Sequence, residues 1–378
     1  MDKTELRICT ITHHTVPNYG AVLQAYALQK VIEELGYFSE VLDYRPIRVK
    51  RFYHQSLLSQ NNIKEILRHI LYYRRFKKWN KPFQDFVKDN IRTSRTYSEN
   101  NIACAGDKYD LYISGSDQVW NLSLHQGKTR YLLDFVKNDK AKGSYGASFG
   151  YSKIPKQYVQ LTKELLSRFS YINVREKKGA DIVRDMFDGN VQINQVLDPT
   201  MVLDRNVWDS LTSAVDDSGY ILVYEICRLK ESFEYALELS KATGKKIISI
   251  QSFENQHLIE SDRIKYLYAV NPCMFLSLIK YADYVVTSSF HGTVFSVLFQ
   301  RPFFCTLTNN KSGTNTRIES LLEVTGLSDR LTGTVDYDKS IDYSVVAKRL
   351  NAEKERSLAV LKDMLENRCR EVQNESRA

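Results

Sequence analysis

Residues 281–305 read Y-A-D-Y-V-V-T-S-S-F-H-G-T-V-F-S-V-L-F-Q-R-P-F-F-C. Positions 284–287 are β-branched and aromatic, the composition of a short strand buried in a parallel sheet. Thr287, Ser288 and Ser289 then offer the side-chain oxygens that start helices. Periodicity places a helix over 293–300, with Val294, Val297 and Leu298 inward. Arg301-Pro302 stops it, and 303–306 begins another strand. His291 and Gly292 fall at the turn. In such a strand–turn–helix–strand unit the turn lies at the carboxyl end of a parallel strand, where open α/β sheets bind ligands. The helix start presents free N–H groups and a positive dipole end, which suit an anion. Gly292 removes a Cβ that would block a close ligand, and a histidine there transfers protons near neutral pH. The plainer alternative is a turn histidine that caps the helix.

The rest of the chain repeats this alternation. Residues 6–11 read as a strand, 13–20 (H-H-T-V-P-N-Y-G) as a loop, 21–35 as an amphipathic helix ended by Gly36, and 40–44 as a strand. That is a βαβ opening. Strands are expected at 109–113, 130–135, 142–148, 171–175 and 195–197, with helices at 155–169 and 177–187. S-G-S-D-Q-V-W-N (114–121) is a strand outlet whose small residues allow close backbone approach. Arg175 stands at another strand's carboxyl edge, like His291; its plain role is a surface ion pair. Asp216-Asp217-Ser218-Gly219 reads as a linker. The pattern then restarts with strands at 220–226 and 245–251 and helices at 231–243 and 272–281. A polar loop at 309–316, a helix at 317–325 and a long charged helix at 343–373 follow, the last able to pack back on the first half.

The chain has 378 residues, enough for two α/β domains, and a net charge of +8. The excess basic charge is concentrated between Arg45 and Arg95, where Arg68, Arg74, Arg75, Lys77 and Lys78 interleave with Leu71, Tyr72, Tyr73, Phe76 and Trp79. We read this as a helical insertion, either a solvated basic face or a surface for membranes or anionic ligands. None of the six cysteines forms a CxxC pair, which argues for reduced thiols and a cytoplasmic location without zinc. No apolar run reaches transmembrane length, and M-D-K-T-E-L-R-I lacks a signal-peptide core. The adjacent His13 and His14 point opposite ways in extended backbone and show no evident carboxylate partner, so a metal site there is not expected.

Six motifs occur in order: N-Y-G-A-V-L-Q-A-Y-A-L-Q (18–29), S-G-S-D-Q-V-W-N (114–121), Y-G-A-S-F-G (145–150), V-R-E-K-K-G-A (174–180), V-L-D-P-T (196–200) and T-S-S-F-H-G-T-V-F-S (287–296). Together they make the chain resemble the polysaccharide pyruvyl transferase family over nearly its whole length, except the basic insertion. The resemblance implies an α/β fold of two facing Rossmann-like domains, similar to glycosyltransferase-B enzymes, with a helical insertion in the first. On that scheme the domains run 1–210, with the insertion at about 46–100, and 218–342, followed by the terminal helix 343–378. The implied reaction moves pyruvate from phosphoenolpyruvate to two hydroxyls of one sugar, forming a cyclic ketal and releasing phosphate. It implies His291 and Arg175 as catalytic residues.

We further expect Ser288, Ser289, Gly292, Thr293 and Arg317 on the donor, and Asn18, Tyr19, Gly20, Ser116, Asp117 and Gln118 on the acceptor. No metal or cofactor is expected beyond phosphoenolpyruvate as co-substrate. A sugar or lipid-linked oligosaccharide acceptor, and peripheral contact with the inner face of the membrane through the basic segment, complete the picture. Two positions depart from the family pattern: Ser289 stands where many members carry arginine, and Ala21-Val22 where many carry an acidic pair. Arg317 is the candidate replacement for the missing arginine. A glycosyltransferase using a nucleotide-sugar donor is the competing enzyme, but 296–304 lacks the acid it would want for the ribose. A nucleic-acid-binding module finds no motif to support it.

Overall fold

The computed structural model describes residues 5–46, 63–251, 259–308, 315–332 and 339–377, with 63–72 described as backbone only. The expected loop at 309–316 and the basic residues Arg48, Lys50 and Arg51 lie largely or wholly outside the described residues. The chain divides into two compact units, Met1–Val202 with Arg356–Ala378, and Leu203–Glu355.

The first unit is an α/β layer built on parallel strands. Strands β1 (Arg7–Ile11), β2 (Phe38–Val41), β3 (Leu111–Ser114) and β4 (Lys142–Ser144) form a sheet in the order β2-β1-β3-β4. β5 (Ile172–Val174) and β6 (Ile193–Gln195) pair beside it, tied to the β4 region by the parallel bridges Gly143–Tyr171 and Ala147–Val174. All outlets therefore point the same way. Helix α1 (Tyr19–Glu34) starts where the Asn18 side chain accepts the Ala21 N–H at 3.1 Å, and its stop is Gly36 at φ 88°. Trp120, Phe149 and Phe169 pack together in the core beneath the sheet.

In helix α2 (Ile63–Asn90) the expected membrane-facing aromatics divide: Phe76 is buried, Trp79 half-buried and Tyr73 exposed, while Tyr72 lies among the residues described as backbone only. Phe76, Phe83 and Phe86 are buried, with Phe83 against Tyr19 and Phe86 against Tyr26 of α1. Arg74, Arg75, Lys77, Lys78 and Lys81 are exposed. The helix thus turns Phe76, Phe83 and Phe86 to the core and leaves the cations, with Tyr73, in solvent. Among the described residues no helix is long and apolar enough to cross a membrane.

The strand expected at 130–135 is instead a 3₁₀ turn, Arg130–Leu132, followed by Leu133 at φ 55°. Arg130 pairs with Asp134 at 2.6 Å and Thr129 with the same carboxylate, contacts four and five residues apart that a strand cannot make. The apolar run is buried as expected, but in a turn. Helices α3 (Lys156–Leu166) and α4 (Lys177–Met186) follow their expected ranges closely. A short helix, α5 (Pro199–Val202), ends the first segment.

The second unit begins with α6 (Arg205–Ser210). Its sheet runs β11-β10-β7-β8-β9, all parallel, from β7 (Tyr220–Tyr224), β8 (Lys246–Ile250), β9 (Ile264–Leu267), β10 (Tyr284–Thr287) and β11 (Phe303–Cys305). The edge strand β9 escaped the sequence reading because I-K-Y-L carries only a weak alternation. The stretch expected as a linker, 216–219, lies inside this unit and turns into β7: Gly219 takes φ 66° and Asp217 pairs with Lys265 of β9. Helices α7 (Lys230–Thr243), α8 (Pro272–Lys280), α9 (Phe290–Leu298) and α10 (Thr316–Thr325) cover the sheet or flank it. The terminal helix α11 (Tyr343–Glu375) closes the chain. Its last residues belong to the first unit, where the buried Arg368 donates to the Asp110 carbonyl at 2.7 Å.

Candidate functional site

Strand β10 ends at Thr287, beside Tyr224 at the end of β7. The Thr287 hydroxyl donates to the Tyr224 carbonyl at 2.6 Å and accepts the Ser289 N–H at 3.0 Å, which bends the chain into α9. Ser289 is the N-cap, its hydroxyl accepting the Gly292 N–H. The helix therefore starts earlier than expected, and His291 and Gly292 occupy its first turn. His291 is buried and its ring meets Phe290 edge-on. A Cβ on Gly292 would stand 2.5 Å from Thr287 Oγ1. Gly292 is thus required by strand–helix packing.

The expected donor residues gather here, with their hydroxyls already bonded. Ser288 donates to Glu225 Oε1 at 2.6 Å, and Thr293 Oγ1 donates to the Ser289 carbonyl at 3.0 Å. Glu225 was missed by sequence reasoning. It is buried directly beyond β7, accepts the Cys227 N–H at 2.6 Å, and accepts from Ser232 as well. A carboxylate immediately after the buried run Y-I-L-V-Y was the available signal, obscured by extending that strand to Ile226. Glu225 brings negative charge to the outlet, so an anion there needs a compensating cation. Arg317, in the first turn of α10, acts electrostatically on the Cys227 thiol. Burial pushes the Cys227 thiol up, while Ser288 and Arg317 act in the opposite direction.

The first unit carries a second polar cluster at its own strand outlets. Arg175, just past β5, is buried, and its Nη1 donates to Asp198 Oδ2 at 2.8 Å and to Ser116 Oγ at 3.3 Å. Glu176 lies 3.6 Å from Nε. The surface ion pair that would have been the plain reading is excluded by this burial. Burial alone would lower the guanidinium's pKa, but Asp198, Glu176 and Asp117 raise it above its ordinary value. Asp198 also accepts from Ser116 Oγ and from the Thr200 N–H and hydroxyl. Asp198 and Glu176 belong to motifs read in the sequence, yet neither was singled out.

The expected acceptor residues separate into two groups. Asn18 caps α1, Tyr19 packs on Phe83, and Gly20 is buried in the first helical turn. Ser116, Asp117 and Gln118 lie at the β3 outlet. The Ser116 carbonyl accepts from Thr12, Asp117 pairs with His13, and Gln118 Oε1 accepts from Asn121. Gly150, at φ 70°, admits the Gln118 side chain: a Cβ would sit 2.0 Å from its Oε1. His13 and His14 do have carboxylate partners, Asp117 at 3.2 Å and Asp43 at 3.4 Å, correcting the sequence expectation. These partners come from the outlets of β3 and β2, far along the chain. Among the described residues, no group of three or more His, Cys, Asp or Glu side chains is placed to hold a metal ion.

Parallel strands bring charged and hydroxyl side chains to their carboxyl ends in each unit, the edge at which open α/β sheets bind ligands. The model of the polysaccharide pyruvyl transferase family matches residues 18–310, and the chain belongs to that family, whose members are transferases. No curated protein matches the chain. Among solved structures, a putative UDP-N-acetylglucosamine 2-epimerase from Listeria monocytogenes is similar at TM-score 0.48 and 13% identity, over 94% of this chain and 90% of that one. UDP-GlcNAc 2-epimerase from Methanocaldococcus jannaschii, in complex with UDP-GlcNAc and UDP, is similar at TM-score 0.47 and 14% identity, over 92% of each chain. An alpha-glucosyltransferase in complex with UDP and a 13-mer DNA is similar at 0.45 and 8%, over 95% of each. Likeness at this level bears on neither ligand nor reaction.

Proposed function

We propose that this transferase forms a pyruvate ketal, taking pyruvate from phosphoenolpyruvate and joining it to two hydroxyls of a sugar in polysaccharide assembly. The observation that carries the reading is the α9 start, in a chain of this family: His291 in the first turn of a nine-residue helix, capped by Ser289 at a parallel-strand outlet. Amide N–H groups and the helix dipole there favour the donor phosphate, with Arg317 offsetting Glu225. His291 serves as acid toward the vinyl carbon, and positive charge stabilises departing phosphate. Arg175 takes the donor-binding role that the family resemblance implies. Its charge is already matched inside its own unit, so it also organises the outlets around Asp198. Ser116, Asp117 and Gln118 form the acceptor side.

We place the reaction in the cytoplasm, and the acceptor we favour is a sugar or lipid-linked oligosaccharide. The test is phosphate release from phosphoenolpyruvate against a panel of sugars, with the product examined for a ketal carbon. Turnover of a nucleotide sugar, with none of phosphoenolpyruvate, would replace this reading by the glycosyltransferase one.

A further inference from the structure

His13 and His14 differ sharply in what surrounds them. His14 is closed off: its side chain has no exposure, Nδ1 meets the Thr12 carbonyl at 3.1 Å, and Nε2 meets Asp43. Both nitrogens are spent, and the ring is part of the core. His13 lies at the β1 outlet with its side chain 10% exposed, and its Nδ1 is 3.2 Å from Asp117 Oδ2. The rings of His125 and Tyr131 hold it from two sides, at centroid distances of 5.0 and 4.9 Å. Asp117 itself is held in the left-handed region at φ 77°, a conformation costly for a residue other than glycine. Its carbonyl is pinned by the Ser148 N–H at 3.0 Å, so the backbone that aims the carboxylate is fixed. A neutral His13 donating from Nδ1 to Asp117 carries its lone pair on Nε2.

We propose that His13, oriented by Asp117, is the base that removes the proton of an acceptor hydroxyl; this rests on the reading of the reaction given above. Ketal formation needs such a group in addition to the acid at the donor. The attacking O–H bond breaks and its proton passes to Nε2. The new C–O bond forms at C2 of the enolpyruvyl group, while the π pair takes a proton at C3 from the donor-side acid, giving a methyl group. The second hydroxyl then gives its proton to the conjugate base left by the donor-side acid and bonds to C2 as the C2–O bond to phosphate breaks, the electron pair leaving on phosphate, which takes the proton held on Nε2. Asp117 is a positioning residue, holding the tautomer and offsetting the imidazolium that forms, as a carboxylate does in hydrolase triads. Groups facing the pair are His125 and Tyr131, and the Arg175 guanidinium interacts electrostatically with Asp117.

The experiment has a substrate-free arm and a kinetic arm. The ¹⁵N shifts of the His13 imidazole in the unliganded protein should show the Nδ1-protonated neutral tautomer. Asp117→Asn, which tolerates the left-handed backbone, should move it toward the Nε2-protonated one. In assays with phosphoenolpyruvate, His13→Gly should lower kcat by about 100-fold or more, leave the donor KM within about threefold, and recover rate when free imidazole is added. An Nε2-protonated wild type overturns the dyad whether or not phosphoenolpyruvate proves to be the donor. So does a His13→Gln enzyme within threefold of wild-type kcat, or a His13→Gly loss that tracks a fall in Tm and is not rescued. A wild type inert toward phosphoenolpyruvate would instead sink the functional reading, with the tautomer still judging the dyad.

Discussion

Arg175 Nη1 and Asp198 Oδ2 lie 2.8 Å apart, both buried, across the outlets of β5 and β6. Removing one partner of such a pair strands a charge away from water. Arg175→Met should therefore destabilise the protein by roughly 3–5 kcal/mol, the usual scale for breaking a buried pair. Arg175→Lys should cost less but raise the donor KM, because a point charge cannot reproduce the planar fork. Urea unfolding curves and donor titrations read the two effects separately. A KM unchanged in the lysine variant would leave Arg175 purely architectural.

His291→Ala should lower kcat by about 100-fold or more, the scale of a general acid–base group, with the fold retained. Circular dichroism and steady-state kinetics check this together. Turnover within a few-fold of wild type removes His291 from the mechanism.

Gly292→Ala should be destabilising by about 1–3 kcal/mol, as overpacking usually is, because its Cβ would stand 2.5 Å from Thr287 Oγ1. The same change should disturb the α9 start and so the donor KM. A Tm equal to wild type would show that the strand–helix contact relaxes freely.

The exposed cations of α2 are proposed to give salt-sensitive attachment to anionic membranes, at about 1 kcal/mol per basic residue near the surface. Replacing Arg74, Arg75, Lys77 and Lys78 by Glu should abolish co-sedimentation with anionic vesicles at low salt, while sparing activity on a soluble acceptor. Phe76→Ser, by contrast, should lower Tm, since that ring is buried. Equal vesicle binding by the charge-reversed variant and wild type would make the face merely solvated.

Asp43 is buried, which alone would raise its pKa, but hydrogen bonds from His14, Arg45 and Thr96 hold its carboxyl well below the usual carboxylate range. A depressed carboxylate contributes stability that is present above its unfolded pKa of about 4 and lost as pH falls toward the folded value. Asp43→Asn should therefore flatten the decline in stability below about pH 4. Stability curves of the two proteins that fall in parallel through the acid range would contradict this.

Much was determined by local sequence. Period-2 and period-3.6 patterns, caps such as Asn18 and Ser289, and the stops at Gly36 and Gly244 depend on near neighbours. They suffice to place most helices and strands and the outlets carrying His291, Arg175 and Asp117. The family resemblance, read from ordered motifs, agrees with the family match. Tertiary structure decided which polar groups meet. Glu225 finds Ser288 63 residues away, Arg175 finds Asp198, and His13 finds Asp117 104 residues away. Strand order brings these outlets side by side, and chain spacing does not encode it. Packing likewise turned Phe76 of α2 inward and folded 130–132 into a turn, because burial is set by the neighbouring surface. A residue's own hydrophobicity says only that it seeks such a surface, and the fold decides where that surface is.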